Sequence, residues 1–312
     1  MKIAVLDDYQ NCVRSLVCYS KLKGQDVTVF NETFKSVTEL ASRLRDYEAI
    51  VLTRQRTNIT SELLYLLPNL KLISQTGKAG SHIDLKTCEK LGITVMEGDG
   101  SGEATAELNM LLILAALRNF AVEIGRMKEG KWQGTVGRKL SGKTLGVYGY
   151  GKIGKQICRL GQAFGANILV WGRQSSRSKA IADGFSVAIS REMFFSSCDI
   201  LSIQLRLTPD TKYDIKPADL QLMKSDSLLV NASRAELIEP GALETALLMG
   251  RPGFAAVDVY EDEPVLDSNH PLLKLPNCLC SPHLGFVELD NYESYYGTAF
   301  DNILKFMSGD VC

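Results

Sequence analysis

An arginine, a carboxylate and a histidine each stand just past a short apolar run late in this 312-residue sequence. Leu228-Leu-Val230-Asn231-Ala-Ser leads into Arg234, and Ala255-Ala-Val-Asp258-Val-Tyr leads into Glu261-Asp262-Glu263-Pro264. Cys278-Leu-Cys-Ser281-Pro282 leads into His283. If these runs are strands of one open α/β sheet, all three groups lie beyond carboxyl ends, where such sheets bind ligands. The set suits hydride transfer to a 2-keto acid. The forked N–H donors of the arginine neutralise a substrate carboxylate and polarise the keto oxygen. The histidine supplies a proton as hydride arrives. The carboxylate orients the imidazole and favours its charged form. Plainer readings exist: Arg234 as a surface-loop residue, and Glu263 as a turn acid beside Glu261 and Asp262. Of the three histidines, His270 before Pro271 reads as a loop turn, and His82 as a cap for a helix at Ile83-Asp84. His283 alone follows a buried strand directly. Asp258, inside an apolar strand, reads as a structural hydrogen-bonding acid.

A source of hydride is written earlier in the chain. Lys143-Thr-Leu-Gly-Val-Tyr-Gly149-Tyr-Gly151-Lys152-Ile153-Gly154 runs an apolar strand into G-x-G-x-x-G. A helix pattern (Ile157, Leu160, Gly161, Phe164) and a second strand (Ala166 to Trp171) complete a β-α-β unit. Gly149 allows the tight turn, Gly151 lets backbone amides approach a pyrophosphate, and Gly154 permits close packing of helix on strand. The phosphates then sit at a helix N-terminus. An NAD site usually places an acid about 20 residues past the glycines, to bond the ribose 2′-hydroxyl. This chain instead reads Gly172-Arg173-Gln174-Ser175-Ser176-Arg177, and the first acid downstream is Asp183. Two arginines and two serines suit a 2′-phosphate, so NADP(H) is the expected cofactor, with NAD possible.

The remaining elements must position these groups. Apolar residues at 45% and charged residues at 23% are ordinary for a globular protein, and the length suits two domains. A net charge of −1 implies no bulk attraction to nucleic acid or membrane. The longest apolar stretch, Leu108 to Leu117, is too short to span a bilayer. Met1-Lys2 enters a strand ending in Asp7-Asp8 rather than a signal peptide. The eight cysteines lack C-x-x-C and metal-ligand partners, and read as free thiols of a cytoplasmic protein. Cys278-Leu-Cys280 is read as presenting its thiols to opposite faces of a strand.

Short apolar runs alternate with helix-period segments, which argues for parallel sheets covered by helices. Five strands are expected at Lys2–Leu6, Asp26–Phe30, Ala49–Leu52, Lys71–Gln75 and Thr94–Met96. Helices are expected at Val37–Leu44 and at Ser61–Leu67, the latter capped by Thr60. Gly98-Asp-Gly100-Ser-Gly102 has the wrong spacing for a phosphate loop and reads as a hinge. Ala104 to Leu117 is apolar on nearly all faces, so it is expected to be buried all round, partly against another subunit. A second set of strands follows, from Lys143 and at Ile168–Trp171, Ile200–Gln204, Ser227–Val230, Phe254–Val259 and Cys278–Ser281. A final helix, from about Glu288 to Met307, is expected to cross back to the first domain.

On these motifs, together with Leu207-Thr-Pro-Asp-Thr211, the chain resembles the D-isomer-specific 2-hydroxyacid dehydrogenase family over nearly its whole length. The resemblance implies an α/β protein of two parallel-sheet domains. Residues 1–101 and 287–312 would form a flavodoxin-like substrate-binding domain, with a Rossmann-type dinucleotide-binding domain, 102–286, inserted into it. It also implies an active-site cleft between them and a homodimer. Arg234 would bind substrate, Glu263 would partner the histidine, and His283 would be the acid/base. Coenzyme contacts are implied at Thr105, Gly149, Gly151, Lys152, Ile153, Gly154, Gly172, Arg173, Ser175, Arg177, Leu205, Ala232, Ser233 and Asp258. Substrate contacts are implied at Arg54, Gly77, Lys78 and Ala79, beside Arg234 and His283; no metal is implied. The small-molecule partner would be a 2-keto or 2-hydroxy acid.

Two departures from the family pattern stand out. Lys78 replaces a usual aliphatic residue, a cation that would suit a second acidic group on the substrate. Arg206, in Gln204-Leu-Arg206-Leu-Thr-Pro209, adds positive charge near the coenzyme phosphates. Two alternatives share the motifs: a relative oxidising another small anion, such as formate or phosphite, and a coenzyme-sensing binding protein of the corepressor kind. A formate enzyme would be expected to carry glutamine at Glu263. A corepressor would be expected to carry extra terminal segments.

Overall fold

The apolar runs become parallel strands because most are buried on both faces. The computed structural model describes residues 1–34 and 36–310. The chain divides into Met1–Ser101 together with the segment from Glu288 onward, and Gly102–Val287. In the first unit the order is β1 (Lys2–Val5), β2 (Asp26–Val29), α1 (Val37–Leu44), β3 (Ala49–Leu52), α2 (Ser61–Tyr65), β4 (Leu72–Gln75), α3 (Leu85–Lys90) and β5 (Thr94–Met96). The five strands form one parallel sheet in the order β2-β1-β3-β4-β5. Every residue of β3 and β4 is buried, hence the continuous apolar sequence of β3; β4 ends in the buried polar residues Ser74 and Gln75. Thr60 accepts a hydrogen bond from the amide of Leu63 at 3.3 Å, as an N-cap should.

The second unit runs through α4 (Glu103–Leu117), α5 (Phe120–Lys128), β6 (Thr144–Tyr148), α6 (Lys152–Ala163), β7 (Asn167–Trp171), α7 (Gln174–Ala182), β8 (Ser186–Val187) and α8 (Arg191–Ser197). It continues with β9 (Ile200–Ile203), α9 (Pro217–Leu222), β10 (Leu228–Asn231), α10 (Ala242–Leu248), β11 (Phe254–Val257) and β12 (Cys278–Cys280). Its seven strands are parallel, in the order β12-β11-β10-β9-β6-β7-β8. Side chains alternate across this sheet. Tyr148, Leu201, Leu229 and Val257 join Phe194 and Phe195 in one core, while Val147, Ile200, Val230 and Ala256 join Met110, Ile113 and Ile157 in the other. Burying each large aliphatic or aromatic side chain contributes about 1.5–3 kcal/mol. The last helix, α11 (Leu289–Ser308), belongs to the first unit. Ser74 Oγ donates to the Ala299 carbonyl at 2.9 Å, and the Thr53 and Tyr296 hydroxyls lie 2.7 Å apart.

Three expectations need correction. Strand β8 was not anticipated, because two residues, one of them serine, give no period to detect. His82 does not cap a helix: Asp84 does, accepting from the Thr87 amide at 3.0 Å, while His82 is buried with Nε2 3.3 Å from Gln75 Oε1. Cys278 and Cys280 share a face, their sulfurs 3.7 Å apart, since residues two apart in a strand point the same way. Helix α4, expected to pack partly against another subunit, leaves Leu111 56% exposed, so its own chain does not cover it all round. Beyond it, no residue of α5 is buried, and Phe120, Met127, Trp132 and Val136 are exposed. Among the described residues no single helix is long and apolar enough to cross a membrane, although α4 and α5, bent by 64°, pass together on length and composition.

Candidate active and coenzyme sites

The turn from β6 into α6 has the shape a pyrophosphate requires. Gly149 has φ +104°, and a Cβ there would stand 2.5 Å from the Gln204 carbonyl oxygen. A Cβ on Gly154 would stand 2.1 Å from the Gly149 carbonyl oxygen, so helix and strand approach only because it is absent. A Cβ on Gly151 would meet nothing within 4 Å. That open space is where a phosphate can approach the backbone. The N-cap of α6 is Gly151, which has no side chain to offer its amides, and the first turn, with Lys152 and Ile153, contains no acid. These residues fit a dinucleotide phosphate. The neighbouring strand ends complete the rim: Leu205 follows β9 and Ala232 follows β10, and Ser233 Oγ ties the two loops by donating to the Ile203 carbonyl at 2.8 Å.

At the end of β7, Gly172 leads to Arg173, which stands at the N-cap of α7, with Ser175 and Ser176 in the first turn. The Arg177 guanidinium lies 4.7 Å from the centre of the Trp171 ring and donates to Gln174 Oε1 at 2.9 Å. Arg173, 68% exposed at its side chain, lies 3.8 Å from Asp210. Reading along the chain put the first acid at Asp183. That residue ends α7, receiving bonds from Tyr150 at 2.7 Å and Lys155 at 2.9 Å. Space brings Asp210 instead, on the Leu207–Thr211 turn, which Thr211 holds by accepting from the Thr208 amide and donating to the Arg206 carbonyl.

Asn231, Val257 and Cys280 stand side by side at the carboxyl ends of β10, β11 and β12. The three candidate catalytic groups follow directly. Asn231 fixes the Arg234 loop, its amide donating to the Arg234 carbonyl at 2.9 Å and its oxygen accepting from the Ser233 amide at 3.1 Å. His283 Nδ1 lies 2.5 Å from Glu263 Oε2, both side chains 27% exposed. The other carboxylate oxygen of Glu263 accepts from the Tyr260 amide at 2.9 Å. Glu261 is engaged elsewhere, 3.1 Å from His270 Nε2. His283 has φ +51°, a left-handed conformation uncommon for non-glycine residues. Asp258 is fully buried and accepts from Ser281 Oγ at 2.6 Å and from the Leu284 and Gly285 amides at 2.8 and 2.9 Å. Burial pushes its carboxyl upward, opposed by these donors and by His283. Its partners make it a clamp for the turn carrying His283. Thr105, in α4, donates to the Gly285 carbonyl at 2.8 Å.

In the first unit, the Arg54 guanidinium lies 4.9 Å from the Tyr295 ring centre, and a Cβ on Gly77 would strike it at 2.1 Å. Ala79 donates its amide to Glu97 at 2.7 Å. Lys78 lies 3.5 Å from Glu97 and 3.8 Å from Asp99. The chain thus supplies two acids of its own to Lys78, which weakens the inference of a second acidic group on the substrate.

Residues 110–285 match the family model described as D-isomer specific 2-hydroxyacid dehydrogenase, NAD binding domain. Glyoxylate reductase of Aeropyrum pernix is 34% identical over 87% of this chain and 83% of its own length. The chain belongs to the D-isomer-specific 2-hydroxyacid dehydrogenase family. D-3-phosphoglycerate dehydrogenase of Methanocaldococcus jannaschii is 32% identical over 88% of this chain, which spans only 52% of that protein. Among solved structures, phosphoglycerate oxidoreductase from Vibrio cholerae o395 superposes with a TM-score of 0.97 at 52% identity, covering 99% of each chain. This member of the family is accordingly a nicotinamide-dependent oxidoreductase of keto and hydroxy acids. Sequence reasoning missed the supporting residues Asn231, Tyr260, Ser281 and Asp210 in the dehydrogenase. Asn231 carried a signal, an Asx residue just before a functional loop; Tyr260 acts through a backbone amide, which its residue type does not announce, and Ser281 and Asp210 act through contacts distant in sequence.

Proposed function

We propose that this dehydrogenase reduces 2-keto acids to D-2-hydroxy acids reversibly, preferring NADPH, with His283 as acid/base, Glu263 as its partner and Arg234 as the substrate clamp. The 2.5 Å contact between His283 Nδ1 and Glu263 carries the reading. With Nδ1 engaged by the carboxylate, Nε2 is the nitrogen left to exchange a proton with substrate. The bound nicotinamide supplies or accepts the hydride. As the carbonyl carbon gains hydride, the keto oxygen takes the Nε2 proton, and Glu263 stabilises the imidazolium before it is spent. Arg234 holds the substrate carboxylate and polarises the keto oxygen. Glutamine in place of Glu263 would not offer that charge, which speaks against a formate-type reaction.

The unit Gly102–Val287 is taken to carry the coenzyme. The phosphates lie at Gly149, Gly151, Lys152, Ile153 and Gly154, bordered by Leu205, Ala232 and Ser233. Thr105 and Asp258 serve the nicotinamide end, and Gly172, Arg173, Ser175 and Arg177 the adenosine ribose. Arg54, Gly77, Lys78 and Ala79 are assigned as substrate contacts of the first unit. Asp210 beside Arg173 favours a second reading of the coenzyme: NADH is also accepted, because a carboxylate is available to a ribose hydroxyl. The uncovered faces of α4 and α5 support a homodimer. A panel of 2-keto acids assayed with NADPH and NADH tests the proposal. Turnover of at least one keto acid, faster with NADPH, is expected; no turnover with any would refute it.

A further inference from the structure

We propose that Arg191 is a positioning residue for coenzyme and substrate together. It anchors the segment 208–215, which presents Asp210 to the coenzyme at one end and supports the Arg234 turn at the other. The proposal rests on the coenzyme and substrate assignments above. Arg191 opens α8, and all five N–H donors of its guanidinium are placed. Nε and Nη2 donate to the two carboxylate oxygens of Asp219 at 2.7 and 2.8 Å. Nη2 also donates to the Asp214 carbonyl at 2.8 Å. Nη1 donates to the Tyr148 hydroxyl at 2.7 Å and to the Asp214 carboxylate at 3.1 Å. The Tyr148 hydroxyl in turn donates to that carboxylate at 2.5 Å. A guanidinium so fully engaged, its side chain 27% exposed, has no donor left for a ligand. Its effect lies in what it holds. Tyr148 ends β6 just before Gly149, Asp219 lies in the first turn of α9, and Asp214 lies on the loop between β9 and α9.

That loop reaches both halves of the site. On one side, the Asp214 amide donates to the Thr211 carbonyl at 3.2 Å, and Thr211 closes the turn on which Asp210 meets Arg173. On the other side, the Tyr213 amide donates to the Glu236 carbonyl at 2.7 Å and the Ile215 amide to the Leu237 carbonyl at 3.0 Å. Those acceptors belong to the single turn Ala235–Leu237, which begins at Arg234. Tyr213, between the two sets of bonds, has φ +55°, a left-handed conformation that its surroundings must hold in place. Releasing Asp214 therefore loosens the Asp210 carboxylate and the backbone beyond Arg234 together. Arg173 keeps its place at the N-cap of α7. A ribose hydroxyl then loses a partner, whereas a 2′-phosphate held by Arg173 does not.

The experiment compares Asp214→Ala with the wild-type protein, because Arg191 stays paired with Asp219 in that variant. Dissociation constants for NADH and NADPH are read by fluorescence, and keto-acid KM and kcat by steady-state assay. The ratio of the NADH to the NADPH constant should rise by about three- to tenfold, the change expected for one lost hydrogen-bonded anchor, and KM should rise by a similar factor. In an Asp210→Ala background, Asp214→Ala should leave the ratio unchanged yet still raise KM, since each end of the segment serves a different ligand. An unchanged ratio and KM in Asp214→Ala overturns the proposal. A shift in only one of them overturns the link between the two ligands. A ratio that shifts as much without Asp210 as with it also overturns the proposal, because it reports general loosening of the fold. Should Asp214→Ala fail to fold, Arg191→Lys, which keeps the charge but not the fork, carries the same comparison. If Asp210→Ala alone keeps the wild-type ratio, the coenzyme assignment of this turn fails and the proposal with it; if Asp210→Ala shifts the ratio and Asp214→Ala does not, only the proposal fails. Failure of every keto acid as substrate would overturn the substrate half along with the reaction, and the ratio alone would decide the coenzyme half.

Discussion

Arg173 and Asp210 face one another at 3.8 Å across the place where the adenosine ribose of a coenzyme is expected. Both side chains are largely exposed, so the pair contributes little to stability. Its consequence is for coenzyme choice. Arg173→Ala is expected to weaken NADPH far more than NADH, by roughly tenfold to a hundredfold, a charge-assisted contact being worth about 1.5–3 kcal/mol. Asp210→Ala removes the competing carboxylate and should shift preference further toward NADPH. Coenzyme dissociation constants from fluorescence titration decide the matter; equal losses for both coenzymes in Arg173→Ala would remove this loop from the selectivity account.

The acid/base pair predicts opposite pH responses for the two directions. Reduction consumes the imidazolium proton, so its rate should fall as pH rises, whereas oxidation needs the neutral ring and should rise over the same range. His283→Ala should lose about 10²–10⁴-fold in kcat with little change in coenzyme affinity. Glu263→Gln should retain more activity than His283→Ala, since the imidazole that exchanges the proton is still present. Arg234→Ala should raise KM steeply as well as lower kcat, because it holds substrate in ground and transition states alike. Steady-state profiles in both directions supply the check, and near wild-type turnover by His283→Ala would contradict every role in this set.

The phosphate turn and the three strand ends were legible because their chemistry is local: glycines at fixed offsets, and polar groups directly after buried strands. Asp210 was not, because it meets Arg173 only after the chain has formed another strand and turn. Lys78 looked like an available cation for the same reason, since Glu97 and Asp99 join it from beyond β5. The cysteine pair was misplaced for a different reason: alternation puts residues one apart, not two apart, on opposite faces. The polar residues behind His283 work through buried contacts that no periodicity announces. Asp258 was placed as a structural acid by its apolar setting, but its three donors emerge only from the folded turn.

The exposed apolar surface of α4 and α5 predicts association. Leu111, at 56% exposure, lies midway along α4. In sedimentation the wild-type protein should run as a dimer at micromolar concentration, and Leu111→Glu should shift it toward monomer by placing a charge in the contact. A wild-type monomer would leave these faces without the proposed partner.

Two glycines of the phosphate turn separate packing from ligand approach. An alanine methyl at Gly154 would collide with the Gly149 carbonyl oxygen, so helix and strand must part. Gly154→Ala is expected to lose about 1–3 kcal/mol of stability, as overpacking does, along with coenzyme affinity. Gly151 has φ −95° and ψ −159°, which alanine adopts without strain, and its added methyl would meet no protein atom within 4 Å. Gly151→Ala should therefore keep the wild-type urea midpoint while weakening both NADPH and NADH, because the methyl occupies the space through which a phosphate reaches the backbone. Urea melts beside coenzyme titrations distinguish the two. If Gly151→Ala binds coenzyme as well as the wild-type protein does, the pyrophosphate does not lie against this turn.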